Sequence, residues 1–229
     1  MLLAVAEVAT TGAQQAPGEA SFGASIQVSA SGEARAPADQ AHVDLAVETL
    51  APTARAAGEG NALAMERLIR GLRAAGVARA QIETRGYAVH PQYASPPRGS
   101  PEPQEPRITG YRASNSIVVR IDDVGRVGAV IDAGLEAGAN RVNGVSFSLK
   151  NPEAIRAVAL REAVQRARGE AQTLATALGV RLGALMEAST SGVPVRPMYR
   201  TESAVDFARA ASTPIEPGEQ TVFAQVHLV

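Results

Sequence analysis

Gly110-Tyr111-Arg112-Ala113-Ser114-Asn115 and Gly138-Ala139-Asn140-Arg141-Val142-Asn143-Gly144-Val145-Ser146-Phe147-Ser148-Leu149 flank one short segment of helical periodicity. The first belongs to a run, Ile108 to Ile121, that reads as a strand. The second, from Arg141 to Leu149, turns Val145, Phe147 and Leu149 to one side with period two and reads as another. Between them, Asp123 to Ala137 spaces Val124, Val127, Ile131 and Leu135 as a helix does, and Gly138 is placed to stop it.

The same grammar extends outward. Ala41 to Val47 alternates, with Ala41, Val43, Leu45 and Val47 inward and His42 and Asp44 on the other side. Thr53 suits the N-cap of a helix to about Ala75, with Met65, Leu68, Ile69 and Leu72 as its apolar stripe and Gly76 as its stop. A strand near Ile82 to His90 follows, then a Pro-rich connection. From Ala41 onward the order is strand, helix, strand, strand, helix, strand, the split βαβ arrangement of ferredoxin-like layers, so the fold class is α+β.

Additions lie at both ends. Ser25 to Ala30 alternates Ile26, Val28 and Ala30 on one face, and Ser31-Gly32-Glu33 is expected to bend or bulge that N-terminal strand. Asn151-Pro152-Glu153 starts the longest helix, since Asn caps, Pro fits the first helical position and Glu complements the dipole. Its expected stripe is Ala157, Leu160, Val164, Ala167, Ala171, Leu174 and Leu178, ending at Gly179. The steps of three and four fit a coiled-coil seam, but so short and Ala-rich a stripe favours a helix lying on a sheet. Two closing strands are expected, Val180 to Ala188 and Thr221 to Val229, separated by a loop over residues 189–217. Residues 1–23 form a signal-like or disordered tail. Residues 24–229 form the domain, with two candidate subdomains, 24–93 and 108–229, joined by a Pro-rich loop over 94–107.

Composition limits function. In 229 residues, 45% are hydrophobic and none is Trp or Cys, which allows a sizeable core of small side chains and removes disulfides, thiolate ligands and a cysteine nucleophile. A formal net charge of -1 without a basic run argues against a nucleic-acid partner. No stretch reaches the roughly 18 apolar residues of a membrane span. Met1 to Ala9 is apolar apart from Glu7 and lacks a basic n-region, so it reads either as the remnant of a secretory signal or as a tail.

The patterns also resemble a known family. Val28-Ser29-Ala30-Ser31-Gly32-Glu33-Ala34 with Pro37 and Asp39-Gln40-Ala41, Ile82-Glu83-Thr84 with Tyr87 and Pro91, the two central stretches, and Ala159 to Arg168 together look like the SIMPL-domain family. It includes bacterial periplasmic immunogens and a mammalian protein that interacts with an interleukin-receptor-associated kinase. The resemblance implies an exported, oligomeric, non-enzymatic protein whose partner is itself. Some bacterial members form hollow rings and others are linked to oxidative-stress tolerance; the family carries no agreed catalytic residues. Two departures stand out: the signal is incomplete, and Gly169 weakens the long helix by on the order of 1 kcal/mol.

Candidate sites are few. His42, Asp44 and Glu48 share one strand face, which offers a metal or acid–base cluster, but a solvated sheet face requires the same alternation and is the favoured reading. His90 and His227 have no partner at a metal spacing; Gly58-Glu59-Gly60 lacks the third Gly of a dinucleotide loop; Ser146 and Ser148 lack a nucleophile elbow. Tyr111 beside Gly110 is the best candidate for a positioned aromatic, at an interface or a packing contact. Asn115, Asn140, Asn143 and Gly144 are expected to set turns and a bulge. No catalytic residue, metal ligand or cofactor is assigned. The leading function is an exported self-assembling protein. The alternatives are a small-molecule or metal-binding protein or enzyme in stress defence, and an intracellular interaction adaptor.

Overall fold

The computed structural model describes residues 24–94, 106–192, 196–197 and 213–229, and the fold is α+β. In chain order the elements are β1 (Val28–Pro37), β2 (Gln40–Ala51), α1 (Ala54–Ala74), β3 (Ile82–Tyr93), β4 (Ile108–Ile121), α2 (Val127–Glu136), β5 (Arg141–Ser148), α3 (Pro152–Ala177), β6 (Ala188–Gly192), β7 (Arg196–Pro197) and β8 (Glu219–Leu228).

The first sheet has the order β3-β4-β2-β5, with each neighbouring pair antiparallel. Strand β4 thus lies between β2 and β3, which run the same way and are joined by α1. The alternation of β2 decides which side is core: Ala41, Val43, Leu45 and Val47 are all buried, against Leu68 and Leu72 of α1, Val127 and Val130 of α2, and Ile117 and Val119 of β4. Thr53 caps α1 by accepting from the Ala56 amide at 3.2 Å. Each helix closes on a glycine of positive φ, Gly76, Gly138 or Gly179, and the next amide reaches back to a helix carbonyl, as from Val180 to Ala175 at 3.0 Å. Strand β3 reaches Tyr93 and accommodates Pro91 because it is an edge strand, where a missing amide costs no ladder bond.

The second sheet has β8 between β1 and β6, with β7 also paired to β8. Helix α3 covers it with a stripe of one residue type, Ala159, Ala163, Ala167, Ala171 and Ala175, all buried. Gly32 sets the distance. A Cβ there would stand 2.1 Å from the Ala159 carbonyl oxygen and 2.5 Å from the Ala163 amide nitrogen. The same closeness lets α3 guard the outer edge of β1: the Glu33 amide donates to Glu162 Oε2 at 2.9 Å, and Arg166 Nη1 donates to the Ser31 carbonyl at 3.2 Å.

Several expectations change. Ser31-Gly32-Glu33 neither bends nor bulges β1, whose pairing with β8 is unbroken from Val28 to Pro37; the glycine serves helix approach instead. The α3 stripe is partly displaced: Ala167 and Ala171 are buried as expected, but Ala157 is exposed, Leu160 and Val164 flank the contact, and Leu174 is 39% and Leu178 68% exposed, because a close approach takes the smallest face inward. Leu135 of α2 is likewise exposed. Val180 to Glu187 is irregular, and β6 starts at Ala188, reaching into the expected loop over 189–217. Most of that loop, most of the Pro-rich loop over 94–107, and the tail over 1–23 lie outside the described residues.

Candidate functional site

The face of the first sheet opposite its helices gathers most of the sequence-selected polar residues. His42, Asp44 and Glu48 alternate with the core residues of β2 and so share this face. Glu48 accepts from Arg112 Nη1 of β4 at 2.7 Å and from Arg141 Nη1 of β5. The Arg141 hydrogen bond, with Arg112 adding to it, outweighs desolvation and holds the Glu48 carboxyl below its ordinary value of 4.5. Asp44 accepts from Asn143 Nδ2 at 3.0 Å. His42 stands in register with Arg120 on β4 and Ser146 on β5, apart from the glutamate. Among the described residues no three His, Cys, Asp or Glu side chains converge on a metal-sized site.

Asn140 holds one end of this face. Its Oδ1 accepts from the Glu48 amide at 2.8 Å and its Nδ2 donates to the Glu48 carbonyl at 2.7 Å, clamping the chain after α2 onto β2. The β2–β5 register then shifts between Asp44 and Leu45, which pair with Gly144 and Val142, so Asn143 is the extra residue of a bulge. A polar network of this kind orients strands. Its carboxylate is already paired with two guanidinium groups, which leaves it ill-suited to act as a general base.

Tyr111 lies elsewhere, at the end of the sheet, in register with Ala51 and Pro91. A Cβ at Gly110 would stand 3.1 Å from the Ala51 carbonyl oxygen, so the glycine lets β2 close on this end. Tyr93 and Ile108, paired with each other near this end, are exposed, and so is Leu50, which is in register with Arg112 and faces the opposite side of the sheet. Asn115 pairs with Val47 and Tyr87, on the side of α1. Nearby, buried Asn61 donates from Nδ2 to the Val47 and Ala113 carbonyls at 2.9 and 3.2 Å. The Oδ1 atoms of Asn61 and Asn115 find no hydrogen-bond partner among the described residues.

Sequence reading missed Arg112, Arg141 and Asn61. Asn61 had a usable signal, since it occupies the α1 stripe that Ala57, Ala64, Met65 and Leu68 define. The arginines had none: only the strand register brings residues 112 and 141 to the two sides of Glu48.

Comparison with known proteins adds the family. The SIMPL model, described as a protein of unknown function (DUF541), matches residues 26–229. The 26 kDa periplasmic immunogenic protein of Brucella melitensis is 34% identical over 212 residues, which is 90% of this chain and 84% of the relative. The uncharacterized protein YggE of Escherichia coli K12 is 30% identical over 76 residues, covering 33% of this chain and 31% of the relative. No helix among the described residues is long and apolar enough to cross a membrane.

Proposed function

Because the chain belongs to the SIMPL family, we propose that it is an exported, non-enzymatic protein that self-assembles, using the end of the first sheet around Tyr111 as its contact surface. The observation that carries the contact surface is the exposure of Tyr87 and Tyr93 along the edge strand β3, 57% and 54%, with exposed Ile108 paired to Tyr93. Aromatic side chains bury much area at little conformational cost and are enriched in protein contacts. Among the described residues strand β3 has one unpaired edge, available to another chain, whereas the edge of β1 is guarded by Glu162 and Arg166. The periplasmic relative supports export. The tied-up state of Glu48 supports a structural role for the polar face.

Sedimentation velocity tests the assembly. Wild-type protein grows in sedimentation coefficient between low and high micromolar concentration, and Tyr87→Ser with Tyr93→Ser moves that growth to at least tenfold higher concentration. A chain that stays monomeric at high micromolar concentration, or a variant that assembles unchanged, contradicts the proposal. N-terminal sequencing of the chain from its native cells tests export: a start beyond Met1 supports it and an intact Met1 removes it.

A further inference from the structure

The second sheet holds a half-open cavity of about 1030 Å³. Its floor is Val28, Val226 and Leu228, all buried, and one wall is the α3 flank formed by Leu160, Val164, Arg168 and Ala171, spaced four, four and three. The other wall is the segment from Leu178 to Met186, which carries Val180, Leu182 and Leu185. That segment is built in at both ends. The Val180 amide bonds back to Ala175 at 3.0 Å, and the Met186 and Glu187 amides donate to the Val229 carbonyl at 2.8 and 3.2 Å.

The cavity is far larger than the space left by imperfect packing, and its lining is mainly apolar, with three hydroxyl residues, Ser25, Ser189 and Thr190, and two guanidinium groups, Arg168 and Arg181. Neither arginine pairs with a carboxylate among the described residues, although seven other acidic–basic pairs there do. Apolar walls with a few convergent polar groups are the usual make-up of a small-molecule site, and this volume is at the upper end of the range for one. Cations beside an apolar trough select a particular chemistry: an alkyl chain ending in an anion, whose chain is buried while its head stays near the surface.

We propose that this cavity is a binding site for a single-chain anionic amphiphile, of the class of a long-chain fatty carboxylate, with the chain over Val28, Val226 and Leu228 and the carboxylate at Arg168 and Arg181. The site is independent of the sheet end around Tyr111, so either can stand without the other.

Isothermal titration calorimetry of the full chain with octanoate, decanoate and dodecanoate, each below its micellar concentration, tests it. One molecule of dodecanoate binds per chain, and affinity rises about fourfold for each added methylene. Arg168→Gln with Arg181→Gln weakens dodecanoate about fivefold and leaves dodecanol unchanged. Val164→Phe, which fills the trough, weakens both, with circular dichroism confirming the fold. The proposal is overturned if dodecanoate does not bind saturably, if affinity ignores chain length, or if the double variant binds like wild type. It is equally overturned if the chain floats with phosphatidylglycerol vesicles yet fails to bind monomeric dodecanoate, since the surface would then serve a membrane, or if adding Leu185→Glu alters only the oligomeric state.

Discussion

Under the first sheet, α1 and α2 press Leu68, Leu72, Val127 and Val130 onto Leu45, Val47, Ile117 and Val119, every one buried. Under the second, α3 offers five alanines to a sheet that answers with Gly32, Ala34, Ala224 and Val226. The first contact is held by the volume of interlocking branched side chains, the second by nearness of backbones. The two therefore fail in opposite ways: removing atoms damages the first, and adding them damages the second. Where the alanine contact runs out towards Leu178, larger side chains diverge from the sheet and the cavity opens.

The largest effect belongs to the first layer. Leu68→Ala leaves a void among fully buried neighbours and lowers unfolding free energy by about 4 kcal/mol in urea titration. Gly32→Ala adds one methyl where α3 backbone already stands, and lowers it by about 3 kcal/mol, an unusual penalty for so small a change. If Gly32→Ala were neutral, the contrast between the layers would collapse. Glu48→Gln breaks the pairing with Arg141 and Arg112 and lowers stability at pH 7 by about 1 kcal/mol. Because the folded state holds the Glu48 carboxyl below 4.5, its contribution is present above that pH and is lost as pH falls through the lower folded value. The variant's acid unfolding curve is correspondingly shallower below pH 4.5, and the gap from wild type narrows there. The smallest change is a gain: Gly169→Ala, where an added Cβ meets nothing within 4 Å, raises stability by about 0.8 kcal/mol.

The same contrast explains what the sequence made legible. Strand β2 could be read because Val43, Leu45 and Val47 weight one face heavily, and α1 because Leu68 and Leu72 do the same. Glycine stops at Gly76, Gly138 and Gly179 marked the helix ends. Helix α3 misled because Leu160, Val164, Leu174 and Leu178 suggest a core face, while the real one is alanine, visible only once Gly32 brings the helix close. Val180 to Ala188 reads as a strand by composition, yet up to Glu187 it is irregular and its exposed apolar residues line a cavity rather than a ladder. For the polar face, Asn140 bonds both backbone groups of Glu48 and Asn143 is the extra residue of the β5 bulge, whereas the Glu48 pairing needed two registers no local pattern contains.

Contact with other copies is proposed for the first layer and ligand binding for the second. Hydrogen exchange measured by mass spectrometry, at two protein concentrations and with or without dodecanoate, tests this division most directly. Raising the concentration slows exchange in residues 86–93 and 108–112 and leaves 178–190 unchanged; dodecanoate slows 178–190 and 226–229 and leaves β3 unchanged. Protection of the same residues by both treatments, or of neither region by either, contradicts it.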